Sequence, residues 1–219
     1  MEREKYQYKI AVTVLIALHF FGFLGMRIEW MNEVLRQLSP FESFTSLTPL
    51  NLLITLFLLL FFHKDWNRQA VFFCITAFTV GFLVEWIGVH TGWIFGEYWY
   101  GATLGWKIDQ IPILIGVNWL ILTYCVSGVV HRLEYPIYLK ALATAVLMVF
   151  IDFLIEPVAI KFDFWQWQNE TIPLSNYMGW LITAFVLSLL FHYLSFKKNN
   201  PLIIPILVCQ VLFFLAHNI

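Results

Sequence analysis

KALATAVLMVFIDFLIEP, residues 140–157, decides how this chain is read, because two carboxylates, Asp152 and Glu156, interrupt a run that is otherwise almost wholly apolar. A carboxylate at membrane depth costs about 2.5 to 3.5 kcal/mol even on the most lenient scale, so one retained there points to function. A second run, FFCITAFTVGFLVEWIGVHTGW at 72–93, carries a third such acid, Glu85.

Working outward, the 219 residues are 60% hydrophobic, with 13 Lys and Arg against 14 Asp and Glu. Together with a mean hydropathy of +0.75, this excludes an ordinary soluble core. The expected fold is an all-α, polytopic membrane helix bundle, with residues 1–219 forming a single integral membrane domain. About seven transmembrane helices are expected, near 9–28, 47–62, 70–90, 111–130, 138–157, 177–195 and 202–217, the second and last being the shortest.

Charge sets the expected orientation. Arg3, Lys5, Lys9, Lys64, Arg68, Arg132, Lys140, Lys197 and Lys198 fall on the N-terminal side of this layout, and only Arg27, Arg36, Lys107 and Lys161 on the other. That asymmetry predicts a protein of the cell membrane with a cytoplasmic N-terminus and an outside C-terminus. Most acids fall on the outer side, so the polar end of the molecule is expected to face outward. The N-terminal apolar run ends in GMRIEW with no small-residue cleavage site, and is read as a retained first helix.

Several chemistries are disfavoured. Cys74, Cys125 and Cys209 are odd in number and lie inside expected helices, so no disulfide framework is implied. The six histidines are isolated, with no pair at helical spacing, which argues against a histidine-built metal site. The last helix has no lysine for a retinal Schiff base, and the chain has no aspartate-rich diphosphate motif and no glycine-rich phosphate loop. A net charge of −1 gives no support for nucleic-acid binding.

Depth brings the polar residues together. At about 1.5 Å per residue, Glu85 and Asp152 lie at matching levels on two parallel helices, and Asn118 reaches a similar level on an antiparallel one. Glu156 sits one turn above Asp152 on the same face. So close in low dielectric, the two cannot both ionise cheaply, and one is expected to keep its proton, giving an acid and a base side by side. Pro157 follows at once and is expected to disturb the helix, freeing backbone carbonyls to hold water. The alternative is that these acids only bond across helices or pair with Arg27.

The outer loops are dense in aromatics: Trp93, Phe95, Tyr98, Trp99, Tyr100 and Trp106 in one, Phe162, Phe164, Trp165, Trp167, Tyr177 and Trp180 in and after the other. An interfacial belt explains part of this, but the inner loops offer chiefly Trp66, Tyr135 and Tyr138. Such asymmetry suits a site for a long apolar ligand, or one that shelters a cation against ring faces. His90 is a possible proton shuttle, though a lone interfacial histidine is more often a hydrogen-bonded bystander.

At these residues the chain resembles the membrane-integral carotenoid hydratases, a family that includes bisanhydrobacterioruberin hydratase and γ-carotene hydratase types. The matching stretches are EWIGVHTGWIFGEYWY at 85–100, PILIGVNW at 112–119, DFLIEPVA at 152–159, WQW at 165–167 and PLSNYMGW at 173–180. Residues 169–172 (NETI) depart from the family pattern, in which a tyrosine and a glycine are expected shortly before that proline. The resemblance implies cofactor-free addition of water to the terminal double bond of an acyclic carotenoid such as lycopene or γ-carotene. That chemistry fits what the residues offer independently, and the expected catalytic residues are Asp152, Glu156, Glu85 and Asn118. Asp152 would give the proton, Glu156 or Glu85 would deprotonate water, and Asn118 would hold that water, although spacing alone leaves open which carboxylate is acid and which is base. Substrate contacts would come from Trp86, Tyr98, Trp99, Tyr100, Trp119, Trp165, Asn176, Tyr177 and Trp180. Two alternatives remain: a membrane carotenoid cyclase, which starts from the same protonation but excludes water, and a proton-coupled transporter, against which stand acids clustered toward one face and no inverted repeat.

Overall fold

The computed structural model describes residues 2–219. Its α-helices are α1 (Glu2–Arg27), α2 (Glu29–Leu38), α3 (Thr48–Phe61), α4 (Arg68–Thr91), α5 (Ile113–Val130), α6 (Ile137–Lys161), α7 (Leu174–Tyr193) and α8 (Ile203–Asn218). Four very short strands lie in the loops: β1 (Tyr98–Tyr100), β2 (Lys107–Ile108), β3 (Ile111–Pro112) and β4 (Trp165–Trp167). α1, α4, α5, α6 and α7 are long and apolar enough to cross a bilayer. α3 and α8, with 14 and 16 residues, are also apolar but shorter, and at about 1.5 Å per residue neither reaches the roughly 30 Å of a hydrocarbon core.

The helix starts are written locally. α5, α6 and α7 each begin directly after a proline (Pro112, Pro136, Pro173), whose fixed φ and missing N–H suit the first turn. α4 begins at Asn67, whose side chain accepts from the Ala70 N–H at 2.9 Å.

α5 is the central post. Of its apolar window 83% is buried, against 17% for α1 at the periphery, and α3, α4, α6, α7 and α8 all pack on it. Phe20, Phe57, Phe72, Phe150, Phe153, Ile182 and Val186 point outward from the surrounding helices, the all-apolar surface that lipid requires.

Three features depart from the sequence reading. α2 is an additional helix whose Trp30, Val34 and Leu38 form an exposed apolar stripe. The loops carry two small antiparallel ribbons, β1 with β4 and β2 with β3. Finally, α6 runs unbroken through Pro157 to Lys161. Pro157 has no N–H to offer the preceding turn, and beside that gap the Asn218 side chain of α8 donates to the Leu154 carbonyl at 2.8 Å, tying α8 to α6.

Candidate active site

Glu85 shares the inner face of α4 with Gly81 and Gly88, one turn to either side. The absence of Cβ atoms there lets ring systems in: the Trp119 side chain lies against Gly81, and Phe95 and the Tyr98 hydroxyl lie against Gly88. Into that space come the donors of Glu85. Tyr98 and Tyr100 donate to its Oε2 at 2.6 and 2.7 Å, and the Trp119 indole donates to Oε1 at 2.8 Å.

β1 explains how two tyrosines reach one carboxylate. Alternation along a strand sends Tyr98 and Tyr100 inward and Trp99 outward. The same ribbon serves Glu156, because the register pairs Tyr98 with Trp167 and Tyr100 with Trp165. Both indoles donate to Glu156 Oε2, at 3.0 Å from Trp165 and 2.9 Å from Trp167. One two-stranded ribbon therefore supplies four donors to carboxylates on two different helices.

Asn176, in the first turn of α7, closes the set. Its side-chain amide donates to Glu156 Oε1 at 3.0 Å and to Asp152 Oδ2 at 2.8 Å. Asp152 Oδ1 is buried with no partner. The trio is shut off from both water and lipid, with exposures of 4% for Glu85, 0% for Asp152 and 1% for Glu156.

No cation reaches the trio among the described residues. The ion pairs there are Lys64–Glu4, His90–Asp109 and Lys197–Asp65, and Arg27 instead donates to the Ala216 carbonyl at 2.8 Å. Among the described residues, the groups that hold these acids are neutral O–H and N–H donors. Burial pushes the Tyr98 and Tyr100 phenols well above their ordinary range, with Glu85 adding to the effect, so both remain O–H donors. Among the described residues no three His, Cys, Asp or Glu side chains gather in a way that would hold a metal ion.

Glu85, Glu156, Tyr98, Tyr100 and Asn176 line one small cavity of about 10 Å³, with Trp180 closing a side. That is roughly the space of a single water-sized sphere. Trp180 stacks on Trp119 with ring centroids 4.2 Å apart. Next to it lies a much larger apolar cavity of about 350 Å³. Ile115 and Trp165 belong to the walls of both.

The remaining residues named from the sequence are placed elsewhere. Asn118 lines the large cavity, one position along α5 from Trp119, which turns to Glu85 instead. Trp86, 38% exposed, donates to Asp109 at 2.7 Å, and His90 pairs with the same carboxylate. Trp99 is 51% exposed. Tyr177 packs near Phe153 on the outer side of α6. Trp167 and Phe95 were not singled out as site residues by sequence reasoning. For Trp167 a signal existed, since residues two apart in W-Q-W share one face if the segment is a strand.

Residues 47–218 match the family described as carotenoid biosynthesis protein, and the chain belongs to that family. Every residue of the site falls within the matched segment. Among curated proteins, the chain is similar to the bisanhydrobacterioruberin hydratase of Haloarcula japonica, 28% identical over a 138-residue alignment that covers 58% of this chain and 46% of that protein. The matched part thus spans about half the length of that relative. No solved structure matches.

Proposed function

We propose that this protein is a carotenoid-modifying enzyme that adds water across the terminal double bond of an acyclic carotenoid end, as in lycopene or γ-carotene, without a cofactor. The observation that carries this reading is the buried, cation-free trio Glu85, Asp152 and Glu156, two members of which bound a cavity of about 10 Å³.

The hydrogen-bond inventory suggests the roles. Glu85 and Glu156 each accept three neutral donors, and since hydrogen bonds to the charged form offset part of the cost of burying it, these two are the better proton acceptors of the three acids. Asp152 accepts one donor and keeps Oδ1 unpartnered, so the proton of the trio rests most cheaply there. Asp152 protonates the less substituted carbon of the isopropylidene alkene, and the electron pair of the double bond forms the new C–H bond. The resulting tertiary cation is held by nearby carboxylate charge and by the Trp180 ring face, which the Trp119 stack supports. A water between Glu85 and Glu156 attacks the cation, and one of the glutamates takes its proton. Return of that proton to Asp152 resets the site with no change in its net charge.

A cyclase would begin with the same protonation. Hydration is favoured because two carboxylates, two phenols and an amide stand beside Phe95, Ile115, Trp165, Trp167 and Trp180 in the wall of the small cavity, enough polar partners for one water.

The test is expression in bacteria that accumulate lycopene or γ-carotene, with pigments analysed for a mass gain of one water and for hydroxylated open-chain ends against rings. Asp152→Asn and Glu156→Gln are expected to cut that gain by about 10² to 10⁴-fold while the protein still inserts. Full activity in both variants would overturn the assigned roles.

A further inference from the structure

At the end of the bundle away from the ribbons, α5, α6 and α7 bring two histidines and two lysines together. His131 closes α5 and His192 lies in the last turn of α7; their Nδ1 atoms share a hydrogen bond at 3.2 Å and their rings stack. Lys140, in the first turn of α6, donates to the His131 carbonyl at 3.1 Å, and Lys198, just beyond α7, donates to the Leu194 carbonyl. Phe191 joins these groups. Its ring centroid is 6.4 Å from that of His131 and 5.4 Å from that of His192, and Lys198 Nζ lies 5.6 Å from it.

The cluster is short of negative charge. The two carbonyls that accept from the lysines belong to the C-terminal caps of α5 and α7. A helix end is worth about half a charge, so the two C-termini offset one lysine, and the N-terminal end of α6 adds about half a positive charge of its own. Among the described residues no carboxylate pairs with Lys140 or Lys198, since Glu4 is taken by Lys64 and Asp65 by Lys197. Burial holds the Lys198 ammonium below its ordinary range, and the charge of Lys140 adds to the effect. Each ammonium keeps two N–H groups beyond the one spent on a carbonyl, and His131 is exposed beside them.

The surroundings indicate the kind of anion. Tyr138 and Tyr193, on the same turns of α6 and α7, are exposed, the setting of aromatic residues at a membrane interface. Leu139 and Leu142, on either side of Lys140, present bare apolar surface. We propose that this cluster binds the phosphate of an anionic membrane lipid, with Lys140 and Lys198 holding its oxygens, His131 donating to it, and an acyl chain lying along Leu139 and Leu142. Lys140 precedes Asp152 by about 18 Å along α6, so the site is separate from the carboxylate layer and stands whatever reaction that layer performs.

The test titrates the purified full-length protein in detergent with dioleoyl phosphatidylglycerol, with dioleoyl phosphatidylcholine and with inorganic phosphate, reading bound lipid by native mass spectrometry and stability by thermal unfolding. Phosphatidylglycerol is expected to bind about tenfold more tightly than phosphatidylcholine, the two differing in net charge, and to raise the unfolding midpoint where inorganic phosphate at the same concentration does not. Lys140→Gln and Lys198→Gln should each weaken phosphatidylglycerol about fivefold, and the pair about 25-fold. Lys140→Arg with Lys198→Arg should keep it. Lys5→Gln with Lys9→Gln, which removes the same charge from exposed positions of α1, should leave it unchanged. Salt gives a readout that needs no variant: raising NaCl from about 0.05 to 0.5 M should remove most of the preference. Equal binding of the two lipids, a preference indifferent to salt, or an equal loss in the Lys5 and Lys9 pair would overturn the site, and stabilisation by inorganic phosphate equal to that by phosphatidylglycerol would overturn a lipid as its occupant.

Discussion

Neutral donors, rather than cations, hold the carboxylates, and this makes each donor's contribution separable. Trp167→Phe removes one N–H from Glu156 and leaves two donors. With about 1.5 to 3 kcal/mol for a hydrogen bond to a charged group, turnover is expected to fall by about 10 to 150-fold, read as the rate of water addition per folded protein. Asn176→Leu is expected to cost more, since one amide serves both Asp152 and Glu156. Tyr98 and Tyr100 share a single acceptor atom, so Tyr98→Phe, Tyr100→Phe and the double variant should be non-additive, with an interaction of about 0.5 to 3 kcal/mol. Strict additivity in activity would mean that the two phenols act independently. At this scale the three acids stood out in the sequence because charge in an apolar run is rare. Asn176 and Trp167 did not stand out as partners of Glu156, because a polar or aromatic residue near a helix end is ordinary until its neighbour across the fold is known.

Elements position those residues through shape. The β1–β4 ribbon is only three residues long on each strand, yet its alternation decides which aromatic rings face inward. So short a strand has too little periodicity to be read from sequence, which is why Trp99 was grouped with Tyr98 and Tyr100 although it points away. The face of α4 is equally specific. A Cβ on Gly88 would lie 2.6 Å from the Phe95 ring and 3.1 Å from the Tyr98 hydroxyl. Gly88→Val is therefore expected to lower stability by about 1 to 3 kcal/mol through overpacking, and to lose activity with it. Gly22→Ala is the control: its Cβ meets only Phe213, at 3.7 Å, an ordinary contact. Thermal unfolding in detergent should separate the two, and an unchanged midpoint for Gly88→Val would contradict the packing described. Long spans such as α6 were legible because hydropathy accumulates over twenty or more residues. α2, at 10 residues and with a mixed polar and apolar sequence, carried no such signal.

For the whole molecule, the carboxylate layer lies toward the end of the bundle that carries both ribbons. Glu85 is six residues, or about 9 Å, from the C-terminal end of α4. The excess of Lys and Arg at the opposite end supports our proposal that the ribbon end faces outward and the N-terminus is cytoplasmic. A cysteine introduced at Trp106, 88% exposed in the ribbon loop, should react with a membrane-impermeant maleimide on intact cells, and one at Lys64 only after lysis, once Cys74, Cys125 and Cys209, all free thiols, have been replaced. The reverse pattern would invert the orientation. The cavities were not legible in the sequence, because they arise where helices distant in the chain cross: Gln210 and Thr48 become neighbours of one cavity only after α8 and α3 pack on α5. What unites the scales is the step we propose, a proton passed from carboxylate to alkene and recovered from water. The most direct test is to run the reaction in D₂O on lycopene and locate the label by mass spectrometry. Proton transfer from Asp152 predicts one carbon-bound deuterium and one added hydroxyl per reacted end with the unmutated protein, and neither with Asp152→Asn. A cyclised product without added oxygen, or labelling undiminished in Asp152→Asn, would contradict it.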